Sequence, residues 1–181
     1  MKHPFRETAP KRTCTKRKGD YHHYKPELAT DFNHRCGYTD CSDVWFGGQR
    51  TFQIDHFKPK SVHPELENEY SNLVYCCSYV NRAKWDDDSP NYLDPCDVDY
   101  NAHFERNENG FISGVSNEAK YMVDHLHLNL RRYAIIWTLD QLVPRIDKLD
   151  AIIRKYPEYS PLLLNLLRVY RKFEKELHKN Q

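Results

Sequence analysis

The stretch from Gln53 to Lys84 limits what this chain can become more than any other part of its 181 residues. Thr51 to His56 alternates loosely and carries the β-branched Thr51 and Ile54, which predicts a strand. Phe57 to Tyr70 holds two prolines and many polar residues, which predicts a long loop. Asn72 to Cys77 then predicts a second strand, and Tyr79 to Asp86 a short helix. Asn81 and Lys84 are three apart, so a helix makes them neighbours on one face. Asp55 and His56 face opposite sides of a regular strand, so one site holding both requires a bend there. Singly these residues are commonplace: the chain has ten histidines, asparagines cap turns and lysines sit in solvent. As an ordered set they match the needs of phosphodiester hydrolysis. Carboxylate and amide oxygens suit a hard divalent cation, and an imidazole beside them can take a proton from water.

The ordered pieces DH, NL and NRAK resemble the HNH (ββα-metal) endonucleases, in the variant whose third motif residue is asparagine. The resemblance implies that His56 is the general base and that Asn72 ties down the loop and orients it. It implies that Asp55 and Asn81 hold Mg²⁺ or Mn²⁺, and that Lys84 contacts phosphate. Weaker words elsewhere are the basic N-terminus, IDHFKPKSVHPEL, YLDPCDVDYNAHF and HLHLNLRR. They resemble the small HNH nucleases of bacterial anti-phage defence, of the Septu-type and retron-associated kinds. That likeness implies a DNA-cleaving effector, with an ABC-type ATPase or another defence-system subunit meeting its C-terminal helices. HNH proteins often hold a structural zinc on two CxxC pairs. Cys36 and Cys77 fit that pattern, but Thr39 and Val80 stand where the other thiolates belong, so no zinc is expected. Cys41, Cys76 and Cys96 are the residues that could substitute; otherwise the cysteines read as small buried hydrophobes. Two alternatives stay open: a catalytically silent nucleic-acid-binding adaptor, and an RNase using the same site.

The expected fold is α+β: a ββα-metal core with an extra β-hairpin and a C-terminal helical segment. Residues 1–30 form a basic arm and the start of a first helix over Pro26–Arg35, residues 31–116 the core with its hairpin, and residues 117–181 the helices. The net charge is only +1, so the distribution of charge matters more than its sum. Seven Lys/Arg against one Glu fall within residues 1–18, which predicts an extended arm clamping a phosphate backbone through Lys11, Arg12, Lys16, Arg17 and Lys18. Lys58 and Lys60 in the loop would add to it. The acidic run Asp86–Asp87–Asp88 reads as a solvated linker, and Asn109–Gly110 as the turn of the hairpin. Three helices follow: Glu118–Leu128, a second capped by Asn129 and kinked at Pro144, and a third from Ser160 to about Leu177. No window approaches the ~18 apolar residues of a membrane span, and the expected compartment is the cytoplasm.

Overall fold

The chain folds as α+β around two small antiparallel sheets. The first has the order β1 (His3–Pro4), β4 (Phe104–Arg106), β5 (Ile112–Gly114). The second pairs β2 (Gln53–His56) with β3 (Leu73–Cys76), from Gln53 opposite Cys76 to His56 opposite Leu73. The computed structural model describes residues 2–179; Met1, Asn180 and Gln181, at the ends of the first and last expected segments, lie outside the described residues.

Local chemistry sets most element boundaries. α1 (Lys25–Asp31) begins with Pro26 in its first turn, where the missing N–H costs nothing. It ends four residues before the expected Arg35, because Asn33 and His34 take positive φ and turn the chain back, the His34 N–H closing on Ala29 O. α2 (Ser78–Lys84) follows β3 directly and stops at Trp85, also at positive φ. A single turn, α3 (Tyr100–His103), is capped by Asp99 and leads into β4. The β4–β5 connection is closed at Gly110, whose φ is +82°. A Cβ there would lie 2.7 Å from the Trp137 ring and 2.9 Å from the Ala134 carbonyl, so only glycine fits both the turn and the approach to the helix behind it.

α4 (Asn117–His125) starts on Ser116, whose hydroxyl accepts from the Ala119 N–H. α5 (Arg131–Ile153) starts after Leu130 with no side-chain cap, so Asn129 is not the cap expected of it, and the helix runs on through Pro144. α6 (Ser160–Lys179) turns back along α5 from the predicted Ser160–Pro161 start. Along α6 only Leu177 is buried, and no residue of α5 beyond Leu142 is. The far half of this helical hairpin therefore stands away from the core, with Leu162, Leu164, Leu167 and Val169 exposed on it.

The N-terminal stretch is not the free arm that its composition predicts. β1 pairs with β4, and Phe5 is buried against Tyr100 and Phe104. Arg6 is buried too, donating to the carbonyls of Pro95 and Gly37. Arg12 forms a bidentate pair with Asp94, both N···O distances 3.0 Å, and its Nε donates to Leu73 O on β3. A polar, proline-containing segment can be held this way because its cations find buried acceptors while Phe5 adds apolar area to the core. Removal of residues 2–18 should therefore unfold the protein and not merely loosen a ligand. Phe5→Ala should cost about 3–5 kcal/mol in urea unfolding, the usual range for emptying a buried phenylalanine site.

Candidate functional site

Asp55 and His56 sit at the end of β2, and the ladder stays regular through His56. The bend expected between them is absent from the ladder, and the two side chains meet different neighbours. Asp55 is 4% exposed. Its Oδ2 accepts from the Tyr38 hydroxyl at 2.6 Å and its Oδ1 from the Lys84 ammonium at 3.2 Å. Burial pushes the Asp55 carboxyl up from its ordinary value, against the pull of Lys84 and Tyr38. The same ammonium donates to the main-chain oxygen of His56 at 2.7 Å, so Lys84 ties α2 to the last two residues of the strand. The Lys84 side chain is wholly buried. This corrects its expected role: it is the counter-ion of Asp55 inside the protein, not a surface contact for phosphate.

His56 is held on its other flank. Its Nε2 lies 2.9 Å from Glu67 O, and since a carbonyl only accepts, Nε2 carries the proton and the neutral ring keeps Nδ1 as its acceptor. Tyr21 packs edge-on against the imidazole, with ring centroids 4.6 Å apart. Burial lowers the His56 pKa, with the Glu67 carbonyl pulling the other way.

The loop that supplies Glu67 is tied down by Asn72. Its Oδ1 accepts from the Lys58 N–H at 2.8 Å, and its Nδ2 donates to Lys58 O at 2.9 Å and to Leu66 O at 3.3 Å. One buried amide thus joins Lys58, at the start of the loop, to Leu66 in its later part. Asp88 adds a second anchor through Lys58 and His63, and Lys60 pairs with Glu67. The acidic run is accordingly not a free linker: Asp87 also accepts from the Tyr92 and Tyr121 hydroxyls.

Asn81 lies one helical turn before Lys84, and its Nδ2 donates to Gln53 Oε1 at 2.8 Å. Asp55 and Asn81 thus have separate partners in this structure. Both are oxygen donors of the type a hard divalent cation takes, and the Oδ1 of Asn81 has no partner among the described residues, so the donor set fits Mg²⁺ or Mn²⁺ by chemistry. Lys84 is the competitor: it already balances the charge of Asp55.

Among the basic residues expected at a phosphate backbone, most have other partners. Arg12 faces Asp94, Arg17 Glu69, Lys18 Glu27, Lys58 Asp88, Lys60 Glu67 and Lys84 Asp55. Lys11 and Lys16 remain without an acidic partner among the described residues. Four of the six cysteines, Cys36, Cys41, Cys76 and Cys77, are buried. Cys36 and Cys77 lie with sulfurs 4.0 Å apart. Burial pushes the Cys36 thiol up, but hydrogen bonds from Cys77 and Thr39 outweigh it and bring its pKa to about 6. Cys41 and Cys76 are raised by burial, Cys41 to about 12.

Tyr38, Tyr21 and Glu67 escaped the sequence reading as site residues. Tyr38 could be assigned only to packing, because nothing local links it to a strand 17 residues later. Glu67 acts through its main chain, which leaves no side-chain signal. No family model, no curated protein and no solved structure matches the chain.

Two outcomes test this geometry. Asn72→Ala leaves the Lys58 amide unpaired, so hydrogen exchange at Lys58 should accelerate while β2 and β3 stay protected, with a stability loss of about 1–3 kcal/mol. Lys84→Met strands a buried carboxylate and should cost about 3–5 kcal/mol in chemical unfolding, most of it recovered in the Asp55→Asn, Lys84→Met double variant.

Proposed function

We propose that the protein is a divalent-metal-dependent HNH-type endonuclease that hydrolyses phosphodiester bonds of DNA. The observation that carries the reading is the setting of His56. Its proton is committed to the Glu67 carbonyl, the loop bearing that carbonyl is pinned by Asn72, and burial favours the neutral ring. An imidazole fixed in one tautomer with a free Nδ1 is what a water-activating base requires. The ordered motif with which this setting coincides supports the same reading.

In this reading Nδ1 of His56 takes the proton of the attacking water. Asp55 and Asn81 would hold the cation, which when bound stabilises negative charge on the phosphate oxygens. Tyr38 keeps Asp55 in place through its 2.6 Å hydrogen bond. Tyr21 fixes the ring plane of the base. The place of such an enzyme in anti-phage defence, beside an ABC-type ATPase or similar subunit meeting the exposed leucines of α6, rests on the weaker resemblance alone.

Supercoiled-plasmid nicking with Mg²⁺ or Mn²⁺ against chelator is the direct test. His56→Ala should lower the rate about 100- to 10,000-fold while leaving the unfolding midpoint within a few tenths of a molar of urea. Wild-type cleavage by that variant, or none by the native protein with either metal, would sink the reading. The pH profile gives an independent check. A base whose pKa is lowered stays neutral to lower pH, so the acid limb of the rate should fall below the ordinary histidine value rather than at it.

A further inference from the structure

Of the cations that composition assigns to the N-terminal arm, most have partners, and of the exposed ones only Lys11 and Lys16 lack an acidic one among the described residues; a second, denser group of unpaired cations lies on α6. Residues 168–179 of α6 contain Arg168, Arg171, Lys172, Lys175 and Lys179 against Glu174 and Glu176. Arg171 pairs with Glu174, and Glu176 is engaged by Arg131 across the hairpin. That leaves Arg168, Lys172, Lys175 and Lys179 exposed and without an acidic partner within 4.0 Å among the described residues.

Their spacing places all four on one face. Steps of four, three and four residues keep them in a single stripe, and at ~1.5 Å per residue the stripe is about 16 Å long. The opposite face is the one that packs: Leu163, Leu166, Tyr170 and Phe173 are partly covered and Leu177 is buried. The basic stripe therefore points away from α5. No apolar residue is interleaved among its four cations; Leu164 and Leu167 adjoin it only at the far end. An amphipathic acidic helix would need an apolar seam running the length of the stripe. A polyanion with regularly repeated charge does not.

We propose that this face of α6 binds the phosphate backbone of duplex DNA, and so supplies the sequence-independent affinity that the N-terminal residues do not. The proposal rests on the nuclease reading for the choice of DNA as the polyanion. Its energetic basis is counterion release: each phosphate neutralised adds about 0.9 to the slope of log affinity against log salt. The four cations line the outer face of the half of α6 whose inner face packs on the core through Tyr170, Phe173 and Leu177, so a duplex along them need not displace that packing.

The test is binding of a fluorescent 30-base-pair duplex across a salt series. It is made on the full-length protein carrying His56→Ala, so that nothing is cut. The triple variant Arg168→Gln, Lys172→Gln, Lys175→Gln is compared with it. All three side chains are exposed and glutamine is a good helix former, so thermal unfolding should be unchanged. We expect weaker binding at moderate salt and a slope shallower by roughly 2.7 for three lost contacts. Lys11→Gln with Lys16→Gln should change the slope by less than the triple variant does.

Equal slopes for the triple variant and its parent would overturn the proposal. If the native protein nicks plasmid normally while carrying the three glutamines, the nuclease reading survives that failure. A parent protein that binds no duplex even at low salt overturns the proposal, and plasmid nicking then decides separately whether the nuclease reading falls with it. Polyglutamate captured as tightly as DNA, and lost equally in the triple variant, would assign the stripe to an acidic protein and also overturn it.

Discussion

A buried ammonium bonded to a buried carboxylate holds the candidate site together. Lys84 joins the end of α2 to the end of β2 through Asp55 Oδ1 and His56 O, with neither side chain open to water. Replacing such a pair with apolar residues is often neutral, but removing one partner leaves the other charged and unsolvated. The orientation of α2 relative to β2 is therefore decided by electrostatics as much as by the apolar contacts of Val80 and Ile54. Asn81, one turn earlier on the same helix, takes its position from that anchoring.

The same logic runs through the core. Its large members include Tyr24, Tyr38, Tyr75, Tyr100 and Tyr133, and each must place a hydroxyl somewhere. Tyr38 reaches Asp55, Tyr75 reaches Asp43, Tyr100 reaches Leu93 O, and Tyr24 accepts from the Lys18 N–H. Arg106, fully buried, donates to the carbonyls of Phe5, Thr39 and Gly110, joining the residue after β1, the loop after α1 and the β4–β5 turn. A core built this way gains apolar area from the rings and fixed direction from the polar ends. Its cost is intolerance: each unpaired end left by a substitution is desolvated without recompense.

This explains what could be read from the sequence and what could not. β2, β3 and α2 were legible because alternation and the short helix are local patterns, and Ser160–Pro161 marked the start of α6 by local capping chemistry. The loop role given to Asn72 rested on the resemblance of the motif and on no local pattern, since its partners at Lys58 and Leu66 carry no side-chain signal. The fate of the first eighteen residues was not legible, since β1 is two residues long and Arg12 finds Asp94 from 82 positions away. Composition counts cations but does not show which of them meet a carboxylate. The start of α5 at Arg131 rather than beside Asn129 was hidden for the opposite reason: tertiary packing, with Tyr133 buried near Cys77, sets that end without a cap.

One carboxylate and one buried cation then limit what else can bind at the end of β2. Asp55 is too deeply buried to lose a counter-charge without a large desolvation penalty, so whatever cation approaches must replace or join Lys84 rather than fill a vacancy. Lys84 cannot simply leave for solvent, because its ammonium also satisfies the His56 carbonyl and its stem is packed inside the fold. Were Asp55 and Asn81 to hold a divalent ion, Asp55 would have to be shared with Lys84, whose contact to Oδ1 at 3.2 Å is longer than its 2.7 Å contact to the His56 carbonyl. Tyr38 holds Oδ2 at 2.6 Å and restrains the carboxylate from rotating. Lys84 therefore sets the charge state of the site as it stands: the Asp55 carboxylate is neutralised from within the fold, and any ligand for it competes with a buried ammonium.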